Sequence, residues 1–82
     1  MDQQQAIKLI LLKNRNEYLV GLVTELDEEP EFLVENCYEV KGEDDLIPFP
    51  RFSGQRDVFL TTDAIFTIVD PSPKLLETYT NA

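Results

Sequence analysis

Carboxylates are the commonest residues in this chain that could do chemistry. Ten of its 16 acidic residues lie between Glu25 and Asp45, where Lys41 is the only base, and the net charge is −9. Paired carboxylates can act as a general acid and base when burial separates their pKa values. The densest group lies in a polar segment at 27–31, and the chain has no histidine that could assist it. We expect water to keep these carboxylates ionised, and we predict that the protein is not an enzyme.

The same acidic segment is a poor match to a known metal site. Calcium takes oxygen ligands, but Asp27 to Glu31 lacks the length and the glycine of the common calcium-binding loop. If the chain forms a symmetric ring, copies of Glu31 could still share a cation at its centre. Cys37 is the only cysteine, so neither a zinc cluster nor a disulfide can form within one chain. We expect no cofactor, and we expect Cys37 to be a small buried apolar residue.

A second candidate site interleaves aromatic and arginine side chains, namely Phe49, Arg51, Phe52 and Arg56. Aromatic planes and guanidinium groups together are typical of proteins that bind single-stranded RNA or DNA. An acidic chain repels nucleic acid over most of its surface, so any such contact must be local. The alternative is that Phe49 and Phe52 pack on the body of the domain and anchor a long loop.

The apolar patterns predict an all-β fold that positions these groups. Five strands are predicted, at 7–13, 18–26, 32–40, 57–60 and 65–69, and segment 41–57 is predicted as a long loop or a loosely paired hairpin. Gly21 lies inside the second strand, where a missing side chain favours a bend. Strict alternation in the third strand predicts Val34 and Cys37 on opposite faces. We predict a single domain, 1–82, with a strongly bent five-stranded antiparallel barrel at about 7–69.

Helical segments are predicted at both ends of the chain. Residues 1–6 could form a helical turn or fray, and a short helix or tail is predicted at about 72–79. Ser72 is a favourable cap and Pro73 a favourable first helical residue. No apolar run approaches the length of a membrane span, and the N-terminus lacks the pattern of a signal peptide. We therefore expect no membrane contact and a cytoplasmic location.

Two parts of the sequence carry the spacing of a known family. In the first part, a glycine is followed by an apolar residue two positions later and by an aspartate six positions later. The residues at these spacings are Gly21, Val23, Leu26 and Asp27. The next strand of the same motif is matched by Phe32, Val34, Glu35, Asn36 and Val40. In the second, the stretch LTTDAIFTI at 60–68 has matching length and apolar positions. The chain resembles the Sm/LSm family, and most of all the Sm-like proteins of marine cyanophage. The resemblance implies a homo-oligomeric ring of about five to seven subunits that acts in RNA or DNA processing.

The chain departs from this family at the positions that bind uridine. The stacking position falls on Glu29, the asparagine position on Glu31, and the arginine–glycine pair on Thr61 and Thr62; Asp27 alone persists. No ring or guanidinium remains there to stack on a base. We therefore predict a ring that binds nucleic acid away from the usual uridine pocket, through the loop residues Phe49, Arg51, Phe52 and Arg56. The alternative is an acidic structural or protein-interaction ring that does not bind nucleic acid.

Overall fold

The computed structural model describes residues 5–28 and 31–82. The elements, in chain order, are strands β1 (Gln5–Leu12), β2 (Tyr18–Glu25), β3 (Phe32–Gly42), β4 (Asp45–Pro48), β5 (Val58–Leu60) and β6 (Ile65–Val69), followed by helix α1 (Pro73–Thr80). A single 3-10 turn, Thr62–Ala64, joins β5 to β6. The predicted all-β antiparallel fold with a short C-terminal helix is confirmed. The helical turn predicted at 1–6 lies mostly outside the described residues, and its last two positions belong to β1.

The strands form one antiparallel sheet in the order β4-β3-β2-β1-β6, and β5 also pairs with β3. Strand β5 pairs with the beginning of β3 and β4 pairs with its end, so both lie along the same edge. Strand β6 forms the opposite edge through its pairing with β1. Strand β4 lies inside the segment 41–57, so this segment begins as a hairpin with β3 and is a loop only in its second part. Of the two predicted alternatives, the paired hairpin describes its first part.

A bulge in β3 changes which residues of that strand reach the core. Val20 pairs with Tyr38 and Leu22 with Glu35, so β3 contains one extra residue opposite Gly21. Asn36 in the bulge has a φ of 52°, a left-handed conformation that asparagine adopts more readily than most residues. The predicted alternation is therefore wrong across the bulge. The side chains of Val34 and Cys37 both point into the same core, and both are fully buried.

The main core lies on one face of the sheet. Its fully or nearly fully buried members come from four strands: Ile10, Leu19, Val23, Val34, Cys37 and Ile65. Gly21 lies where the sheet is most crowded, and a Cβ atom placed on it would be 2.5 Å from Cγ1 of Val34. The absent side chain therefore lets β2 and β3 approach each other at the bulge. The bend predicted at Gly21 stays a prediction, and what the structure shows there is this close approach beside the bulge in β3.

Helix α1 covers the other face of the sheet. It begins as predicted, because the Ser72 hydroxyl accepts a hydrogen bond from the Leu75 backbone nitrogen at 3.2 Å. Leu75 and Tyr79 are buried, and the hydroxyl of Tyr79 donates to the carbonyl oxygen of Asn36 at 2.9 Å. The edge of the Tyr79 ring also meets Tyr38 at a centroid distance of 5.8 Å. The helix is therefore attached directly to the bulge in β3. No helix in the described ranges is long and apolar enough to cross a membrane.

Candidate functional site

Glu31 and Thr62, which belong to the two separate sequence motifs, lie next to each other. The Glu31 carboxylate accepts a hydrogen bond from the Thr62 backbone nitrogen at 2.9 Å. The Glu31 carbonyl oxygen accepts from the Leu26 nitrogen at 2.6 Å, which closes the turn between β2 and β3. Asp27 and Thr61 are exposed nearby in the chain, and Glu29 lies outside the described residues. The described groups here are carboxylates and threonines, which offer hydrogen-bond acceptors and hydroxyls but no stacking plane.

Metal ligation receives no support from the arrangement of side chains. Among the residues that the structure describes, no group of three or more histidine, cysteine, aspartate or glutamate side chains could hold a metal ion. The carboxylate of Glu31 is directed at the backbone of Thr62, and this contact already uses one of its oxygen atoms.

Both ends of the loop after β4 are attached to the backbone of Cys37. The Phe49 nitrogen donates to the Cys37 carbonyl oxygen at 3.1 Å, and the Cys37 nitrogen donates to the Arg56 carbonyl oxygen at 2.9 Å. Phe49 is half-buried and packs against the main core. Phe49 was considered either as a contact for nucleic acid or as an anchor for the loop, and its packing in the structure is that of an anchor. Its ring is not presented to solvent as a stacking surface.

Arg56 is also occupied within the fold. Its guanidinium lies 4.4 Å above the centre of the Tyr38 ring, and its Nη2 donates to the Cys37 carbonyl oxygen at 3.2 Å. Its buried Nε has no hydrogen-bond partner within the described part of the chain. A guanidinium that stacks on an aromatic face is stabilised by cation–π attraction as well as by its hydrogen bonds. Arg56 thus holds the end of the loop against β3 and is poorly placed to reach a phosphate.

Arg51 and Phe52 form the outer part of the loop. Phe52 is fully exposed and has a φ of 66°, which is unusual for an aromatic residue. Arg51 Nη2 lies 3.5 Å from an oxygen of Glu39, whose other oxygen lies 3.1 Å from Lys41 Nζ. The Glu39 side chain is only 9% exposed, so its negative charge is held close to both cations. The loop therefore presents one uncovered aromatic ring and one cation that is already paired.

Most of the positive charge is compensated within the fold. Four of the seven basic residues form ion pairs in the described ranges: Lys8, Arg15, Lys41 and Arg51. Arg15 donates to both carboxylate oxygens of Glu17, and these hydrogen bonds lower the pKa of Glu17 to about 2. With a net charge of −9 and four of the cations paired, the part of the chain that the structure describes offers no extended positive surface to a phosphate backbone.

The two edge strands carry uncovered apolar side chains. Phe59 on β5 is 56% exposed, and Phe66 and Val69 on β6 are 70% and 41% exposed. Within the described residues, β5 pairs only with β3 and β6 pairs only with β1. An apolar strand with an unpaired edge is prone to pair with another chain. Three of the six large apolar side chains that are exposed in the described ranges lie on these two edges.

Comparison with known proteins provides a family but no activity. A family model described as a family of unknown function (DUF6561) matches residues 5–82. The chain belongs to this family. The match includes α1 as well as the sheet, so the helix is part of the unit that DUF6561 members share. No curated protein and no solved structure matches the chain significantly.

One further feature of the structure was not predicted from the sequence. A pocket lies between the beginning of α1 and the outer face of the sheet. Tyr18 lines this pocket, and 47% of the Tyr18 surface is exposed. The residues around this pocket come from β1, β2, β3, α1 and the turns between them. No local pattern could have indicated it, because the pocket exists only after these elements have come together.

Proposed function

We propose that this chain is the subunit of an Sm-like homo-oligomeric ring that acts as a protein-interaction scaffold. The observation that carries the proposal is the pair of apolar edges on β5 and β6, each paired on one side only in the described ranges. A contact between two different edges of identical chains repeats around an axis, and it closes into a ring when the rotation allows. By the resemblance of its sequence motifs, the ring has about five to seven subunits.

The exposed side chains on these edges are arranged so that neighbouring copies can cover them. Phe59 is opposite Leu33 in the pairing of β5 with β3, and Val69 is opposite Leu9 in the pairing of β6 with β1. The registers through β2 place both residues on the outer face of the sheet. When β5 of one copy pairs with β6 of the next, Phe59 and Val69 lie on the same side of the joined sheet. Their burial then adds apolar contact to the backbone hydrogen bonds.

Charge favours a protein partner over nucleic acid. The segment between Glu25 and Asp45 carries ten of the 16 carboxylates, and a ring repeats this density in every subunit. Repetition raises the avidity for a partner with a basic surface, even where each single contact is weak. The same charge repels phosphate, and Arg56 and Phe49 are engaged within the fold. The acidic scaffold is thus the function that the geometry supports best.

A second candidate is weak binding of single-stranded RNA or DNA, and one observation favours it. The Phe52 ring is fully exposed beside Arg51, whose side chain is still 48% exposed despite its contact with Glu39. A stacking ring and a nearby cation in each subunit could add up around a ring. On this hypothesis the protein binds nucleic acid in RNA or DNA processing without a uridine pocket.

The ring is tested by measuring the mass of the protein in solution. Light scattering at micromolar concentration should give about five to seven times the chain mass of 9.5 kDa. Phe59→Asp combined with Val69→Asp should yield a folded monomer, because assembly would bury two charges in the contact between β5 of one subunit and β6 of the next. Leu76→Asp is the matched control, since Leu76 is an exposed apolar residue that belongs to α1 and to neither edge strand. A monomeric parent would contradict the proposal.

Partner class is tested with two probes on the parent protein. A polybasic peptide should bind and should dissociate as salt is raised, because the contact is electrostatic. A random pool of single-stranded RNA and DNA should not bind at either low or moderate salt. Salt-sensitive retention of the pool that is lost in Phe52→Ala with Arg51→Ala would favour the second candidate and displace the scaffold.

A further inference from the structure

The pocket beside α1 has the size and lining of a small-molecule site. Its volume is about 440 Å³, within the range in which small ligands and cofactors are bound. Its apolar lining includes Tyr18, Val40 and Leu75, which come from β2, β3 and α1. Apolar surface with an aromatic side chain in one wall suits a flat, largely apolar ligand.

The walls of this pocket are held in place by hydrogen bonds that do not depend on a ligand. The Ser72 hydroxyl, which caps α1, donates to the carboxylate of Glu43 at 2.5 Å. The Thr78 hydroxyl donates to the carbonyl oxygen of Glu43 at 2.7 Å. The helix and the turn between β3 and β4 are therefore joined at two points. A pocket whose walls are already ordered loses little conformational entropy when a ligand enters.

The polar groups at the rim indicate which charge the ligand should have. Lys41 and Glu43 both line the pocket, so either sign of charge meets one attractive and one repulsive group. Lys41 is already 3.1 Å from the Glu39 carboxylate, and Asp44 and Asp45 follow Glu43 in the same turn. Anions are therefore disfavoured. Asn16 adds an amide that can both donate and accept, so the rim suits a molecule that carries no negative charge and has donors and acceptors along its edge.

We propose that this pocket binds an uncharged heteroaromatic base of the nucleobase or nucleoside class, with Tyr18 as the stacking residue. A nucleobase is flat, and its edge carries the mixture of donors and acceptors that Asn16, Lys41 and Glu43 complement. The base belongs to a free nucleoside, because the acidic turn beside the pocket repels the phosphates of a strand. The pocket lies within one chain, so the inference does not rest on ring assembly.

The experiment is a titration of the full-length protein followed by nuclear magnetic resonance. Adenosine, guanosine, cytidine and uridine are added separately, then their 5′-monophosphates, then a short single-stranded oligonucleotide. At least one nucleoside should shift the amide signals of Tyr18, Val40 and Leu75 in a saturable way. Its monophosphate should bind more weakly, because the phosphate approaches the acidic turn at Glu43. An oligonucleotide that binds more tightly than the nucleoside would overturn the free nucleoside as the ligand and would also contradict the exclusion of nucleic acid by the scaffold.

Two substitutions at Tyr18 separate stacking from folding. Tyr18→Ala should weaken binding about tenfold or more, since stacking on an aromatic side chain contributes much of the affinity for a base. Tyr18→Phe keeps the ring and should bind like the parent, and Leu76→Ala on α1 is the control outside the pocket. The proposal is overturned if no nucleoside shifts these signals at about 10 mM, if the shifts map elsewhere, or if Tyr18→Ala binds as well as the parent. Tighter binding of the monophosphate than of the nucleoside would overturn the proposal that the ligand is uncharged.

Discussion

Gly21 in β2 lies so close to Val34 in β3 that no other residue fits there without movement. A Cβ atom at Gly21 would be 2.5 Å from Cγ1 of Val34 and 3.0 Å from the carbonyl oxygen of Glu35. Val34 is fully buried, so it cannot move aside into solvent. Gly21→Ala should lower the free energy of unfolding by about 1–3 kcal/mol, measured by urea denaturation.

Gly54 provides the matched control for this substitution. A Cβ atom added there would meet nothing within 4 Å, and the residue is exposed in the loop after β4. Gly54→Ala should change the free energy of unfolding by less than about 0.5 kcal/mol. Equal unfolding midpoints for Gly21→Ala and Gly54→Ala would show that β2 and β3 leave room for a Cβ atom at position 21.

Arg56 should matter for stability more than for binding. Arg56→Ala removes both the stacking on Tyr38 and the hydrogen bond to the Cys37 carbonyl oxygen. We expect a loss of about 1–2 kcal/mol in the free energy of unfolding. Arg15→Ala is the control, because Arg15 pairs with Glu17 on the surface and its loss should leave the midpoint unchanged. Arg56→Ala with parental stability would mean that the guanidinium is not anchored to Tyr38.

Cys37 should make the protein less stable at high pH. Burial raises the pKa of the Cys37 thiol from an ordinary value of 9.0 to about 12, although the nearby Arg56 lowers it somewhat. Between these values the unfolded chain loses the thiol proton while the folded chain keeps it. The free energy of unfolding should be unaffected by this group below pH 9.0 and should fall as the pH rises toward about 12.

The contribution of Cys37 is isolated by comparison with Cys37→Ala. Other groups titrate in the same range, including Tyr79, whose pKa is also raised by burial. These groups are present in both proteins, so the difference in slope between pH 9 and 11 reports the Cys37 thiol. A parent and variant with parallel pH profiles would contradict the raised pKa.

The site formed by Glu31 and Thr62 should not bind uridine tracts in preference to other sequences. The Glu31 carboxylate is 2.9 Å from the Thr62 nitrogen, and an added phosphate would meet its negative charge. Labelled oligo-uridine and oligo-adenine should therefore bind equally weakly in a direct titration, and Thr61→Ala should change neither. Tight uridine-selective binding that fails in Thr61→Ala would mean that the pocket of the Sm family still operates here.

Local patterns in the sequence were sufficient for most of the elements. Apolar runs and alternation located five of the strands, and Ser72 with Pro73 located the beginning of α1. These features depend on neighbouring residues in the chain, through capping, turn geometry and strand periodicity. Gly21 could also be singled out, because a glycine inside an apolar strand is informative by itself.

Long-range contacts decided the rest, since residues distant in the chain must meet before their roles are defined. The bulge at Asn36 shifted the alternation of β3 and brought Cys37 into the core. The order of apolar and polar residues along the strand does not indicate such a bulge. Arg56 looked like a phosphate contact in the sequence, and only the nearby Tyr38 ring turned it into an anchor. The pocket at Tyr18 likewise required α1 to fold back onto β2 and β3. The chain alone thus determined an acidic, all-β domain, while packing determined which of its aromatic and basic side chains remained available to a partner.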